Sequence, residues 1–248
     1  MIYVKNKKDI ELMREACKLT KMALNHVGEF VRPGITTGEL DRIAYEFIKK
    51  HNAIPSFLNY NGFPASICSS VNDEVVHGIP GKYALSEGDI ISIDIGAYLN
   101  GFHGDCAKTF FVGNVSEEAK KLVEVTRQSF YEGLKFAKAG NRIGDISFAI
   151  QSYVESFGYS VVRDLTGHGI GKSLHEDPSV PNFGRAGKGV RLIPGMTLAI
   201  EPMINRGSYH VFTDDSKWTV KTCDGELSAH YENTILITEG EPEILTKA

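Results

Sequence analysis

Apolar residues recur at helical spacing near the start of the chain. Ile10, Met13, Ala16 and Cys17, with Thr20, form one stripe that predicts a helix over about residues 7–30, and Pro33-Gly34 stops it. Thr37 reads as the N-cap of a second helix reaching about residue 50. Ser116, followed by Glu117 and Glu118, opens a third helix that should end near Ala139-Gly140, and a fourth covers about residues 143–157. Elsewhere the pattern changes to short strand-like runs at about residues 67–71, 90–98, 160–163, 196–204, 218–222 and 232–238. The glycine-bearing loop 182–188 is expected to be exposed. No low-complexity linker divides the chain, so residues 1–248 read as a single domain of mixed helices and strands.

A weak internal repeat runs through this pattern. Pro33-Gly34 with Gly38 precedes one helix, and Ala139-Gly140 with Gly144 precedes another. His77-Gly78-Ile79 recurs as His168-Gly169-Ile170. Gly88 leads into an apolar run ending at Asp94, and Gly195 into one ending at Glu201. Three matches in the same order suggest a duplication, with halves of about 1–135 and 136–248 and a site at their junction.

Composition narrows the function classes. Acidic residues outnumber Lys plus Arg by 31 to 27, so there is no basic surplus for phosphate and nucleic acid is not an expected partner. No apolar run approaches the roughly 18 residues that would span a bilayer. The start turns polar at Lys5-Asn6-Lys7-Lys8-Asp9, too soon for a secretory signal, so the expected location is the cytoplasm. Cys17, Cys68, Cys106 and Cys223 form no CxxC pair, which argues against a zinc knuckle and against a disulfide framework.

The candidate chemistry is carboxylate chemistry. Asp94 lies in the apolar run Ile90-Ile91-Ser92-Ile93-Asp94-Ile95, where alternation places Ile90, Ser92 and Asp94 on one face. A carboxylate in such a strand must be paired, hydrogen-bonded or bound to a metal. Taken alone, Asp94 reads equally well as a satisfied structural residue. Asp105 follows in Gly101-Phe102-His103-Gly104-Asp105, and a hairpin would bring it beside Asp94. Glu201 and Glu232 repeat the arrangement in the second half. Four carboxylates meeting in one cavity would repel and raise each other's pKa, and two divalent cations would cancel their charge. His168, flanked by glycines, could approach a metal closely. Oxygen-rich ligation with one imidazole and no thiolate suits Mn, Fe, Co or Zn. Paired metals of this kind activate water towards a carbonyl, so the expected chemistry is hydrolysis.

These residues resemble a known family. The sequence is similar to type I methionine aminopeptidases of the bacterial kind, in the group that includes prolidase and aminopeptidase P. The resemblance covers essentially the whole chain. It is carried by the segment at 72–80, by Asp94-Ile95-Gly96, by Gly101-Phe102-His103-Gly104-Asp105, by 167–176 with its His168 and His175, and by Ile200-Glu201-Pro202-Met203. It implies an α+β "pita-bread" fold of two pseudo-symmetric halves around a curved antiparallel sheet. It also implies that Asp94 chelates one metal, His168 and Glu201 the other, and that Asp105 and Glu232 bridge both. Glu201 would be the general base, His175 would bond the scissile carbonyl, and His77 the amide nitrogen of the second residue. Tyr60, Phe63, Cys68 and Trp218 would form the methionine pocket. The implied substrate is a nascent polypeptide beginning with Met and carrying a small second residue. The same resemblance suggests a monovalent-cation site at Asn72 and Ser228. Ribosome association is a further expectation, though not through an N-terminal extension, and nothing demands more than a monomer.

The sequence departs from the family pattern at four places. Asn233 stands where a His usually follows the last bridging Glu, and His230 where a Gln is usual. Phe57 and Leu174 replace a common Cys and Phe beside the pocket. Two rival readings remain at this level. One is a hydrolase of the same group acting on X-Pro bonds, against which stands a catalytic unit beginning almost at Met1. The other is a non-catalytic binding protein on the same fold, against which stands the full set of ligands.

Overall fold

Polar side chains hold the first free N–H groups of the helices, and these caps set where each helix starts. The computed structural model describes residues 2–247. Helix α1 (Lys7–Gly28) begins at Asn6, whose side chain accepts from the Asp9 N–H at 3.0 Å while Asp9 accepts from the Asn6 N–H at 3.3 Å. This reciprocal box fixes a start that the hydrophobic stripe only approximates. Helix α2 (Thr37–Lys50) is capped by Thr36, not Thr37, and Glu39 completes the box by accepting from the Thr36 N–H at 2.9 Å. Ser116 caps α3 (Glu117–Leu134) as expected, through the Ala119 N–H at 3.1 Å. That helix stops well before Ala139-Gly140, because a series of tight turns takes over after Leu134. Helix α4 (Ile143–Glu155) starts where Asp145 accepts from the Arg142 N–H at 2.7 Å. None of the helices among the described residues is long and apolar enough to cross a membrane.

The helices pack on an 11-stranded sheet. Its centre consists of β1 (Ile67–Val71), β2 (Ile90–Leu99), β3 (Phe102–Phe111), β4 (Gly167–Gly169), β5 (Thr197–Ile200) and β6 (Ser228–Leu236). They run in the order β1-β2-β3-β6-β5-β4, and every neighbouring pair is antiparallel. The run expected over 196–204 is broken into β5 and a second strand, Met203–Asn205. Pro202 lies in the break and has no N–H to give a ladder. The break leaves Glu201 at the open end of β5. The last long strand starts at Ser228 rather than Glu232, since Met203–Asn205 pairs with its first residues. The expected strands at 160–163 and 218–222 shorten to Ser160–Val161 and Val220–Thr222. Asn182, placed by sequence in an exposed loop, is fully buried, because its amide donates to the Glu201 carbonyl at 2.9 Å.

Period-2 alternation sorts the sheet into two faces. Ile91, Ile93 and Ile95 of β2 pack with Leu24 and Val27 of α1 and Leu40 and Ala44 of α2. Leu198 and Ile200 of β5 and Ile235 of β6 pack with Leu122 and Phe130 of α3 and Ile146 and Ile150 of α4. Asp94, Ala199 and Glu232 occupy the alternate positions, so they point to the face turned away from the helices.

The same hydrogen-bond frame appears at the entrance to α2 and to α4. Gly34 donates to the Leu85 carbonyl and Leu85 to the Ile35 carbonyl; Gly140 donates to Leu192 and Leu192 to Asn141. Gly38 and Gly144 then donate to the carbonyls of Gly81 and Lys188. At both places a Cβ would lie within 3.0 Å of a carbonyl oxygen, which explains the paired glycines. The two His-Gly-Ile motifs are not equivalent in this way. His168 lies inside β4, whereas His77 follows the strand Glu74–Val76 of a separate three-stranded sheet, at a φ of 59°.

Close approach of α1 to β3 depends on Gly104, where a Cβ would meet Cys17 Cα at 2.7 Å and Thr20 Oγ1 at 2.6 Å. Overpacking of this kind costs about 1–3 kcal/mol. Gly104→Ala should therefore lower the urea unfolding midpoint. An unchanged midpoint would mean that α1 shifts off the sheet at no cost.

Candidate metal centre and adjoining pocket

Strand register brings the five candidate ligands together. Asp94, Ala107 and Glu232 form one cross-strand row over β2, β3 and β6. Asp105 sits two residues before Ala107 and so shares its face. Thr234, Ala199 and His168 form a second row over β6, β5 and β4, and Glu201 lies two residues beyond Ala199. Adjacent strands thus supply the ligands in turn. His168 Nε2 is 3.8 Å from Asp105 Oδ2 and 3.6 Å from Glu201 Oε1. One ligand atom each from Asp105, His168 and Glu232 lie within 4.8 Å of one another.

The electrostatics of this cluster call for a cation. Burial pushes the Asp94 carboxyl up to about 7, against the opposing pull of its hydrogen bonds with Asp105 and the Ile95 N–H. Burial and the neighbouring carboxylates raise Asp105, Glu201 and Glu232 well above the ordinary carboxylate range. Asp94 Oδ1, Asp105 Oδ1 and Glu232 Oε1 are buried without a hydrogen-bond partner. Among the described residues no Lys or Arg lines the cavity to compensate them. Orphaned carboxylate oxygens on a water-poor face are what a divalent ion satisfies, so the donor set fits the expected metals. His168 is prepared for the same role. Its Nδ1 faces the Gly169 carbonyl at 2.8 Å, and a carbonyl only accepts, so Nδ1 carries the proton. Burial holds the imidazole's pKa at about 3, which leaves Nε2 as a bare lone pair aimed at the carboxylates.

An apolar slot opens directly onto this cluster. The cavity has a volume of about 200 Å³, and all eleven site residues named from the sequence line it. Phe63 meets Trp218 edge to face at 5.2 Å between ring centroids. Cys68 closes the floor, and burial raises its thiol pKa so that it stays neutral. Phe57 and Leu174 complete the wall. His175 Nδ1 is 2.8 Å from the Tyr60 hydroxyl, and the two rings stack at 27°. His77 lines the same cavity, and burial with the nearby His175 lowers its pKa to about 4.

Three residues near the centre were not singled out from sequence. Asn61 lines the slot, and its left-handed backbone in the Asn61-Gly62 turn is a signal that sequence could have supplied. Asn182 holds the Glu201 backbone. His230, noted only as a departure, brings Nε2 to 3.7 Å from Glu201 Oε2. Asn233 is harmless to the metals, because alternation turns it to the other face, where it accepts from Thr246 at 3.0 Å. Asn72 and Ser228 do meet, the Ser228 N–H donating to the Asn72 carbonyl at 2.8 Å.

A sequence profile of the metallopeptidase family M24 matches residues 11–239. The chain belongs to family M24. The methionine aminopeptidase of Clostridium acetobutylicum is 59% identical over 247 residues, covering 99% of each chain. Methionine aminopeptidase 1 of Bacillus subtilis is 56% identical over the whole of both chains. The crystal structure of methionine aminopeptidase from Rickettsia prowazekii superposes with a TM-score of 0.98 at 45% identity, covering all of both chains. The α+β pita-bread fold is therefore the fold of this M24 chain. The prolidase of Pyrococcus horikoshii, at 22% identity and a TM-score of 0.78, shares that fold. Membership of a metallopeptidase family implies divalent metal ions, and Asp105, His168 and Glu232 form a candidate group for one.

The raised carboxyl pKa values carry a sign. A folded-state pKa above the unfolded one costs stability once the pH exceeds the unfolded value, near 4, and the cost vanishes below it. Glu232→Gln should therefore raise the melting temperature of chelator-treated protein at pH 7, and have little effect near pH 4. With divalent metal added back, the same variant should melt below the parent. Thermal melts with and without chelator check both signs, and a metal-free variant less stable than the parent at pH 7 would refute the account.

Proposed function

We propose that this chain is a methionine aminopeptidase of the bacterial type, removing the N-terminal Met from nascent polypeptides. The observation that carries the reading is the direct opening of a small aromatic and thiol-lined slot onto the carboxylate and histidine cluster. Relatives at 59% and 56% identity bearing that name support it. The slot is smaller than a typical ligand pocket of roughly 300–1,000 Å³, so it takes one side chain. A thioether suits aromatic rings and a neutral thiol, being flexible and polarisable.

In this reading Asp94 would hold one metal and His168 with Glu201 a second, with Asp105 and Glu232 shared between them. The ions, when bound, would supply Lewis acidity towards the scissile carbonyl and the attacking water. Glu201 takes the proton from that water and delivers it to the leaving amine. Tyr60 Oη lies 2.8 Å from His175 Nδ1; with that hydroxyl as donor, Nε2–H is left to donate to the carbonyl oxygen as negative charge develops there. His77 bonds the amide nitrogen of the second residue. The ions are Mn, Fe, Co or Zn. The chain acts as one catalytic domain over 1–248, a monomer in the cytoplasm, with its site at the seam of the two halves. The recurrent glycine frame at α2 and α4 supports that division.

Metal-stripped protein should release Met from Met-Ala-Ser only after Mn, Fe, Co or Zn is restored, and should spare Leu-Ala-Ser and Ala-Pro-Ala. Cleavage only before proline would move the chain to the neighbouring activity, and no cleavage with any metal would favour a binding protein. Glu201→Ala should lose at least about a hundredfold in rate, since a ligand and a base disappear together. Near-normal turnover by that variant would remove Glu201 from the mechanism. Peptides with Ala as second residue should be cut much faster than those with Arg, a preference that parallel rate measurements on a peptide series would expose.

A further inference from the structure

His175 stands on the segment 171–175, which is neither helix nor strand, yet its ring must hold a fixed place over the cleft. The described contacts show what fixes that segment. At its start the Gly171 carbonyl accepts from the His103 N–H at 2.8 Å. At its end the Glu176 carboxylate folds back, and Oε1 accepts from the Ser173 N–H at 3.2 Å. The other oxygen, Oε2, is held by Lys5 Nζ at 2.5 Å. Lys5 comes from the arm that precedes α1, far from Glu176 in sequence.

The ion pair is built into the fold rather than laid on its surface. The Lys5 side chain is 3% exposed and that of Glu176 is 11% exposed. Nζ also donates to the Tyr3 carbonyl at 3.3 Å, and the Lys5 N–H donates to the Gly195 carbonyl at 2.8 Å. Gly195 and Gly171 both make room for it. A Cβ at Gly195 would lie 2.9 Å from the Lys5 carbonyl, and one at Gly171 would lie 2.6 Å from both Lys5 Cε and Glu176 Oε1. Glu176 also opens the strand Glu176–Val180, where it pairs with Gly169 beside the ligand His168.

We propose that the buried Lys5–Glu176 pair is a positioning device for His175, clamping its segment from the N-terminal arm so that the imidazole meets the scissile carbonyl. The proposal rests on the role given to His175 above. Lys5 touches neither the metals nor the slot, so its removal should leave ground-state binding intact. With Lys5 gone, the Glu176 carboxylate loses its cation and releases the Ser173 N–H, and the His175 ring samples orientations that cannot donate. A 1 Å misplacement of such a donor is enough to cost about a hundredfold in rate.

The test compares Lys5→Met, Lys5→Arg and Glu176→Gln in the parent and in a His175→Ala background, using Met-Ala-Ser and the metal that best supports the parent. Lys5→Met should lower kcat ten- to a hundredfold, change KM less than threefold, and leave Mn affinity by calorimetry within twofold. Lys5→Arg, which keeps the charge, should recover most of the rate. In the His175→Ala background the Lys5→Met loss should vanish, because the group it positions is absent. If the loss persists there at the same factor, or Mn affinity falls with it, the pair is merely structural and the proposal fails. Should Lys5→Met not fold, Glu176→Gln carries the same comparison with the shape preserved. No turnover by the parent itself would instead overturn the functional reading on which the proposal rests.

Discussion

Four carboxylates on one face of a largely apolar sheet are the constraint around which the rest of the structure is arranged. In water they would be solvated; here Asp94 Oδ1, Asp105 Oδ1 and Glu232 Oε1 have no hydrogen-bond partner, and among the described residues no Lys or Arg lines the cavity. Such a cluster is relieved by protonation or by a cation, and the raised carboxyl pKa values show how strongly it needs one or the other. The helices are confined to the opposite face, where Ile91, Ile93, Ile95, Leu198, Ile200 and Ile235 give them their contact. Alternation of side chains does both jobs at once: it turns the aliphatics to the helices and the acids to the metals. Stability and chemistry are therefore written in the same strands, on alternate residues.

Supporting contacts give this cluster its rigidity. Asn182 ties the Glu201 backbone where Pro202 interrupts the ladder. Thr234 donates to the Asp105 carbonyl at 2.8 Å, linking β6 to β3 between two ligands. His168 is held in one tautomer by its neighbour's carbonyl. Each of these bonds uses up a freedom that a ligand would otherwise have to lose on binding metal. Of the histidines over the slot, His175 is held by Tyr60 and by the segment it stands on.

Much of this was legible in the sequence, and the reasons are specific. A charged residue inside Ile90-Ile91-Ser92-Ile93-Asp94-Ile95 is conspicuous, because an acid in such a run must be paired, hydrogen-bonded or bound to a metal. The same holds for Glu201 and Glu232, and the motif resemblance supplied the histidines and the slot. What escaped notice was decided by contacts between distant segments. Thr36 rather than Thr37 caps α2, since two adjacent threonines look alike until Glu39 chooses one. Asn182 sits in a stretch whose glycines signal exposure, yet the Glu201 carbonyl draws it in. The matching His-Gly-Ile triplets look alike as sequence, and strand pairing placed only one of their histidines in the sheet. Local pattern could not show which.

The distribution of ligands along the chain has a temporal consequence. The first is Asp94 and the last Glu232, and β6, which carries Glu232, is the strand that joins β3 to β5. A ribosome making this chain must pass Glu232, and that residue must clear the exit tunnel, before the cluster is complete. Until then the growing chain carries an incomplete set of acids and lacks the strand that pairs with both β3 and β5. The four acids thus come together only near the end of synthesis, with the arrival of one late strand.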